Sequence, residues 1–183
     1  YTRTDISEQI ILETLFNVYL ILAETLVFQG NDRSFEILTI LFEMLERHNI
    51  QDISFICRCK LILAQANTMK GDFTTSEKLL EDIMKQYEEQ DLDNESIIKW
   101  NTINIINNFL RKKYKDINED LFYTVTLANN SGDNFTKNIM KTLLGKVLND
   151  TDQTKQAMNI YQEQITYFSK EKMALGALLT WYL

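Results

Sequence analysis

Apolar residues recur at spacings of three and four along almost the whole chain, and no segment sustains the every-second-residue alternation of a half-buried strand. Nine helical segments follow, approximately 7–29, 34–48, 53–70, 74–89, 95–112, 116–130, 134–148, 153–169 and 171 to the end. The breaks between them are polar turn formers: Gly30-Asn31-Asp32, His48-Asn49, Lys70-Gly71-Asp72, Asp91 to Asn94, Ser131-Gly132-Asp133-Asn134, and Asn149 to Asp152. Thr74 stands three residues before Glu77, the spacing at which a hydroxyl and a carboxylate satisfy each other's free amide donors at a helix start.

The most apolar stretch, Ile10 to Phe28, is long enough to raise the question of a membrane, but Glu13, Asn17 and Glu24 would have to enter lipid. The pattern instead predicts a helix covered by protein on more than one side, with neighbours before and after it. With an N-terminal Tyr1 and an apolar run ending at Leu183, the expectation is a segment of a longer protein, without membrane insertion by this segment.

Composition narrows the picture. The 183 residues are 45% hydrophobic with Gly 5 and Pro 0, which fits long helices and short connections better than a turn-rich sheet fold. A net charge of −7 and a pI near 4.8 disfavour a phosphate-binding surface, so no direct nucleic-acid partner is expected. Cys57 and Cys59 are two helical positions apart, about 200° around the axis, and cannot bridge each other. They read as small buried hydrophobes in a reducing compartment, which makes a cytoplasmic location the expectation.

Self-similarity organises the chain. Leu20-Ile21-Leu22-Ala23 recurs as Leu61-Ile62-Leu63-Ala64, each with a Gly seven residues after the Ala, at an offset of 41. Continuing that offset passes Ile105 and Ile106 and arrives beside Gly145 in Leu144-Gly145, and a further unit begins near Lys172. The predicted array spans 1–183 in units of approximately 7–48, 53–90, 95–130, 134–169 and a partial 171–183.

These residues resemble the tetratricopeptide repeat (TPR), with its large-then-small pair, its Gly-Asp-aromatic turn and its second-helix small residue followed four later by an aromatic. Gly71-Asp72-Phe73 is the best turn, and Leu144-Gly145 followed by Ala157 and Tyr161 the best unit. The resemblance implies an all-α fold: a right-handed α-solenoid of antiparallel helix pairs, about four units and a truncated fifth. Its departures are a period above the usual 34, the absence of Pro, an insertion at Gly30 to Arg33, and a third unit with no Gly turn, only Lys112-Lys113-Tyr114-Lys115-Asp116. Units of this length resemble those of kinesin light chains and of the sensor domains of some bacterial transcription activators.

Catalytic constellations are not evident. His48 follows Glu46-Arg47 at a helix end, where an imidazole is an ordinary C-terminal residue. Cys-Arg-Cys is not a zinc spacing. Asp91, Asp93 and Glu95 lead a run whose sixth and twelfth places, Ser96 and Thr102, do not suit a calcium loop. Glu88-Glu89 and Glu119-Asp120 read as solvated helix faces. Asn94, Asn129, Asn134 and Asn149 head Asn-x-Ser/Thr triplets, which an Asn-rich chain produces by chance. The expectation is a non-enzymatic protein with no metal and no cofactor.

What the resemblance implies for binding is a concave wall lined by the first helix of each unit. Its groove-facing places fall on Asn17, Leu20, Glu24, Val27 and Phe28 in the first unit, and on Arg58, Leu61, Gln65, Thr68 and Met69 in the second. In the fourth they fall on Ile139, Thr142, Lys146, Asn149 and Asp150, and the third unit is too irregular to map. Residues 7–29 carry no Lys or Arg, which disfavours a clamp for a chaperone's C-terminal carboxylate. An apolar partner segment against Leu20, Val27 and Phe28 is one reading, and packing of those residues on an upstream unit is the other. Trp100, Tyr114, Trp181 and Tyr182 are further candidate anchors, Trp100 more as inter-unit packing, and open repeat ends could also self-associate. The expected function is a protein-protein interaction scaffold that assembles a larger complex through a helical-repeat groove. The alternative is a ligand- or peptide-sensing regulatory domain of a multidomain regulator.

Overall fold

The computed structural model describes residues 3–87, 92–114, 117–174, 176–177 and 180, with side chains from residue 10 onward. Among them the chain is all-α, with eight helices: α1 (Arg3–Phe28), α2 (Arg33–Arg47), α3 (Ile53–Lys70), α4 (Phe73–Gln86), α5 (Asn94–Leu110), α6 (Asn118–Ser131), α7 (Asn134–Asp150) and α8 (Thr154–Lys170). Of the ninth predicted segment, residues 174, 176, 177 and 180 are helical, while Trp181, Tyr182 and Leu183 lie outside the described residues, as do Glu88, Glu89, Asp91, Lys115 and Asp116.

Aspartates start several of these helices. Side chains of Asp52, Asp72, Asp93 and Asp133 accept from the backbone N–H of Phe55 (3.2 Å), Thr75 (3.1 Å), Ser96 (2.7 Å) and Thr136 (3.0 Å), each satisfying an otherwise orphaned donor. The expected Thr74–Glu77 cap is therefore displaced: α4 begins two residues earlier, because Asp72 also takes the Thr75 hydroxyl at 2.7 Å.

The helix ends carry the period most clearly. Residues with left-handed backbone recur at Gly30 (φ 64°), Gly71 (φ 80°), Lys112 (φ 59°) and Asp152 (φ 62°), separated by 41, 41 and 40 positions. The third unit, which lacks a turn glycine, thus makes the same turn with Lys112. Its amide donates to the Phe109 carbonyl and that of Lys113 to the Asn108 carbonyl, both at 2.9 Å.

By its contacts the chain forms two compact units, Tyr1–Ile103 and Asn104–Leu183. In the first, α1 packs on α2, α3 on α4, and α3 also on α1 and α2. One core joins Phe16, Leu20, Ala23 and Val27 of α1 to Leu38, Leu41 and Leu45 of α2 and to Cys59, Ile62 and Ala66 of α3. Another joins Cys57, Leu61 and Ala64 of α3 to Leu80 and Ile83 of α4 and Ile103 of α5. Helix α3 is therefore covered on two sides, and its two cysteines point into different cores, as their spacing predicts.

In the second unit, α6 packs on α7 and α7 on α8. The core joins Ile105, Leu121, Met140, Leu144, Val147 and Ala157. Gly145 is required here: a Cβ would stand 2.8 Å from the Tyr161 ring, so only glycine lets α7 approach α8 this closely.

The cover expected around the Ile10–Phe28 stretch is present on one side only. Ile11, Leu15, Val18, Ile21, Leu22 and Phe28 are exposed among the described residues. Among the described residues this is also the one helix long and apolar enough to cross a membrane by length and composition, a property shared with core helices of soluble proteins.

Candidate interaction surface

Adding 41 to a position in α1 gives its register mate in α3, and this relation sorts the candidate residues. Leu20, Val27, Leu61 and Thr68 occupy the face by which each helix packs within its own core, and all four are buried. They are corrected from groove to core: Leu20 and Val27 bury apolar area in the core shared by α1, α2 and α3, and Leu61 in the core it shares with α4. The Thr68 hydroxyl is hydrogen-bonded to Ser76 of α4 at 2.9 Å. Thr142 is buried likewise.

What remains in the first unit is a polar line at its exposed margin. Asn17 and Glu24 on α1, and Arg58 and Gln65 on α3, are all half-buried. Arg58 Nη1 donates to Asn17 Oδ1 at 3.3 Å, linking mates 41 positions apart. Lys99 of α5, a further 41 positions on, forms an ion pair with Glu24. Burial pushes the Lys99 ammonium down to about 8, because a buried cation gives up hydration.

Gln65 Oε1 is buried with no hydrogen-bond partner among the described residues. Asp93 is pushed up by burial, but this is outweighed by hydrogen bonds from Ser96 and Ser54 and by the charge of Arg58, so its pKa falls below the usual value. Phe28 and Met69, mates at the ends of α1 and α3, are 68% and 54% exposed and supply apolar surface.

Lys99 was not among the residues picked from the sequence, because the third unit resisted mapping. The signal was there: Asn17, Arg58 and Lys99 are spaced by 41 and 41. Leu110, exposed at the end of α5, stands 41 after Met69 and was missed for the same reason.

Lys146, Asn149 and Asp150 lie in the second unit and are treated separately. Lys146 Nζ donates to Asp150 Oδ1 at 2.6 Å along one turn of α7, and this bond, with one from the Tyr114 hydroxyl, lowers the Asp150 pKa. Burial, aided by the Asp150 charge, pushes the Tyr161 hydroxyl up to about 12, and its oxygen has no partner among the described residues. Ile139 is half-buried against the core.

Other candidates resolve into structural roles. His48 is the exposed C-cap of α2. Trp100 Nε1 donates to the Leu80 carbonyl of α4 at 3.0 Å, the packing role expected of it. Tyr114 stacks near Phe109 with ring centroids 5.6 Å apart. Glu119 is exposed, whereas Asp120 is half-buried and burial raises its pKa, against the solvated reading. Burial pushes the Cys57 thiol up to about 11 and that of Cys59 to about 12, which makes both poor nucleophiles. No group of three or more His, Cys, Asp or Glu side chains placed to hold a metal occurs among the described residues. Compared with known proteins, the chain matches no family model, no curated protein and no solved structure.

Proposed function

We propose that this chain is a divergent, long-helix TPR-like array of antiparallel helix pairs, and that it acts without catalysis as a scaffold that grips a protein or peptide segment during assembly of a larger complex. The observation that carries the reading is the shared register of α1, α3 and α5, in which Asn17, Arg58 and Lys99 repeat at 41 residues while Phe28 and Met69 offer exposed apolar surface at the C-terminal ends of α1 and α3. Amide and charged side chains at regular spacing suit the backbone of an extended segment, and flanking apolar groups suit its side chains. The partner is a polypeptide; direct nucleic-acid binding is disfavoured by the net charge of −7.

The test is co-purification of partners with the wild-type protein and with Phe28→Glu combined with Met69→Lys. Both positions are exposed, so folding should be unchanged and partner capture lost. Capture that survives in a normally folded double variant removes the groove reading. Leu20→Glu is unsuitable for this purpose, since a carboxylate there would enter the core.

A further inference from the structure

The outer face of α1 is a second feature, independent of the polar line. Ile10, Ile11, Leu15, Val18, Ile21 and Leu22 lie on it and are 41–65% exposed, a contiguous apolar patch of the kind that marks an interaction site. The two threonines within it add no free polarity: the Thr14 hydroxyl donates to the Ile10 carbonyl at 2.7 Å and that of Thr25 to the Ile21 carbonyl at 2.8 Å. No basic residue lies between Ile10 and Phe28.

The register mates in α3 say what such a face covers. Val18 and Ile21 are 55% and 60% exposed, whereas their mates Cys59 and Ile62 are 0% and 1% exposed, buried in the core that α3 forms with the preceding pair α1–α2. Thr25 is exposed and its mate Ala66 is buried in that same core. The equivalent complementary surface of α1–α2 is already filled by α3, so a second copy of this chain has no free α1–α2 face to offer.

We propose that the outer face of α1 is an inter-pair face, and that its occupant is a further helix pair of the α1–α2 kind, carried by the polypeptide on the N-terminal side of α1. The assignment uses only the register and stands whether or not the groove binds a partner.

Ile21→Cys tests it, because the native thiols are buried and give no background. The protein as made from its own gene and residues 1–183 alone are each exposed to a charged maleimide, with Val18→Cys as a second reporter and circular dichroism as the folding control. The expected result is labelling of residues 1–183 at the rate of a free thiol and at least tenfold slower labelling of the native-length protein. Equal, fast labelling of both overturns the proposal. So does protection of residues 1–183 that grows with concentration as the mass doubles, which identifies a second copy as occupant. Protection of residues 1–183 by phosphatidylcholine–phosphatidylglycerol vesicles also overturns it, in favour of a membrane surface.

Discussion

Helices α1 and α3 carry the same tetrapeptide in the same register, yet one is buried on two sides and the other on one. Phe16 and Cys57, Leu20 and Leu61, Ala23 and Ala64, and Val27 and Thr68 are mates that are buried alike. Val18 and Cys59, and Ile21 and Ile62, are mates that are not. The shared face is the one each helix turns to the helix that follows it, α2 or α4; the unshared face is the one α3 turns to the pair that precedes it. Similar side-chain chemistry is therefore set to two uses by whether a preceding pair is there. An apolar spacing pattern records which faces can be buried, and the packing partner decides which ones are.

The largest effect that can break this comparison is a matched truncation. Ile62→Ala removes a fully buried side chain and should cost about 2–5 kcal/mol, whereas Ile21→Ala should stay within about 0.5 kcal/mol. Urea unfolding of residues 1–183 measures both. Equal costs would mean that the face of α1 is covered in this chain too.

A smaller effect sharpens the polar side of the comparison. Glu24 pairs with Lys99, while its mate Gln65 carries no charge. Glu24→Gln leaves the half-buried Lys99 ammonium without its carboxylate and should cost about 1–2 kcal/mol at pH 7, reduced by the partial exposure of the pair. The sign with pH follows from the lowered Lys99 pKa: between about 8 and 10.5 the folded chain holds fewer protons than the unfolded chain, so this group's contribution to stability rises with pH. Removing the carboxylate lowers the Lys99 pKa further, so the penalty of Glu24→Gln should be full near pH 6, shrink as pH approaches 8 and be gone by about pH 9, where the folded-state lysine is neutral with or without its partner. A penalty that does not change over that range would show that Lys99 keeps its proton.

Much of the fold is legible in the sequence because helix signals are local. Polar turn formers mark the connections, and the two-residue separation of Cys57 and Cys59 already sends them to opposite sides of α3. What escapes is non-local or disguised. Lys112 adopts the left-handed turn that Gly30 and Gly71 announce openly, since a lysine carries no turn signal of its own. Asp72 outcompetes Thr74 as a cap because a carboxylate two residues earlier reaches both the amide and the hydroxyl of Thr75. Leu20 and Leu61 fall on groove-facing places only through the resemblance to the repeat family, and spacing alone does not say which apolar side of a helix meets a neighbour. The polar line lost Lys99 for want of a mapped third unit, although the 41-residue offset reaches it from Arg58.

The most direct test of the central claim, one register with two degrees of cover, is a thiol count on Val18→Cys in residues 1–183. Val18 and Cys59 are register mates, so the variant places the same side chain on the equivalent position of both helices. In native buffer a thiol reagent should react at once with one cysteine, the introduced one, and reach Cys57 and Cys59 only as urea unfolds the chain. Three thiols reacting together in the native state, or none, would contradict the account.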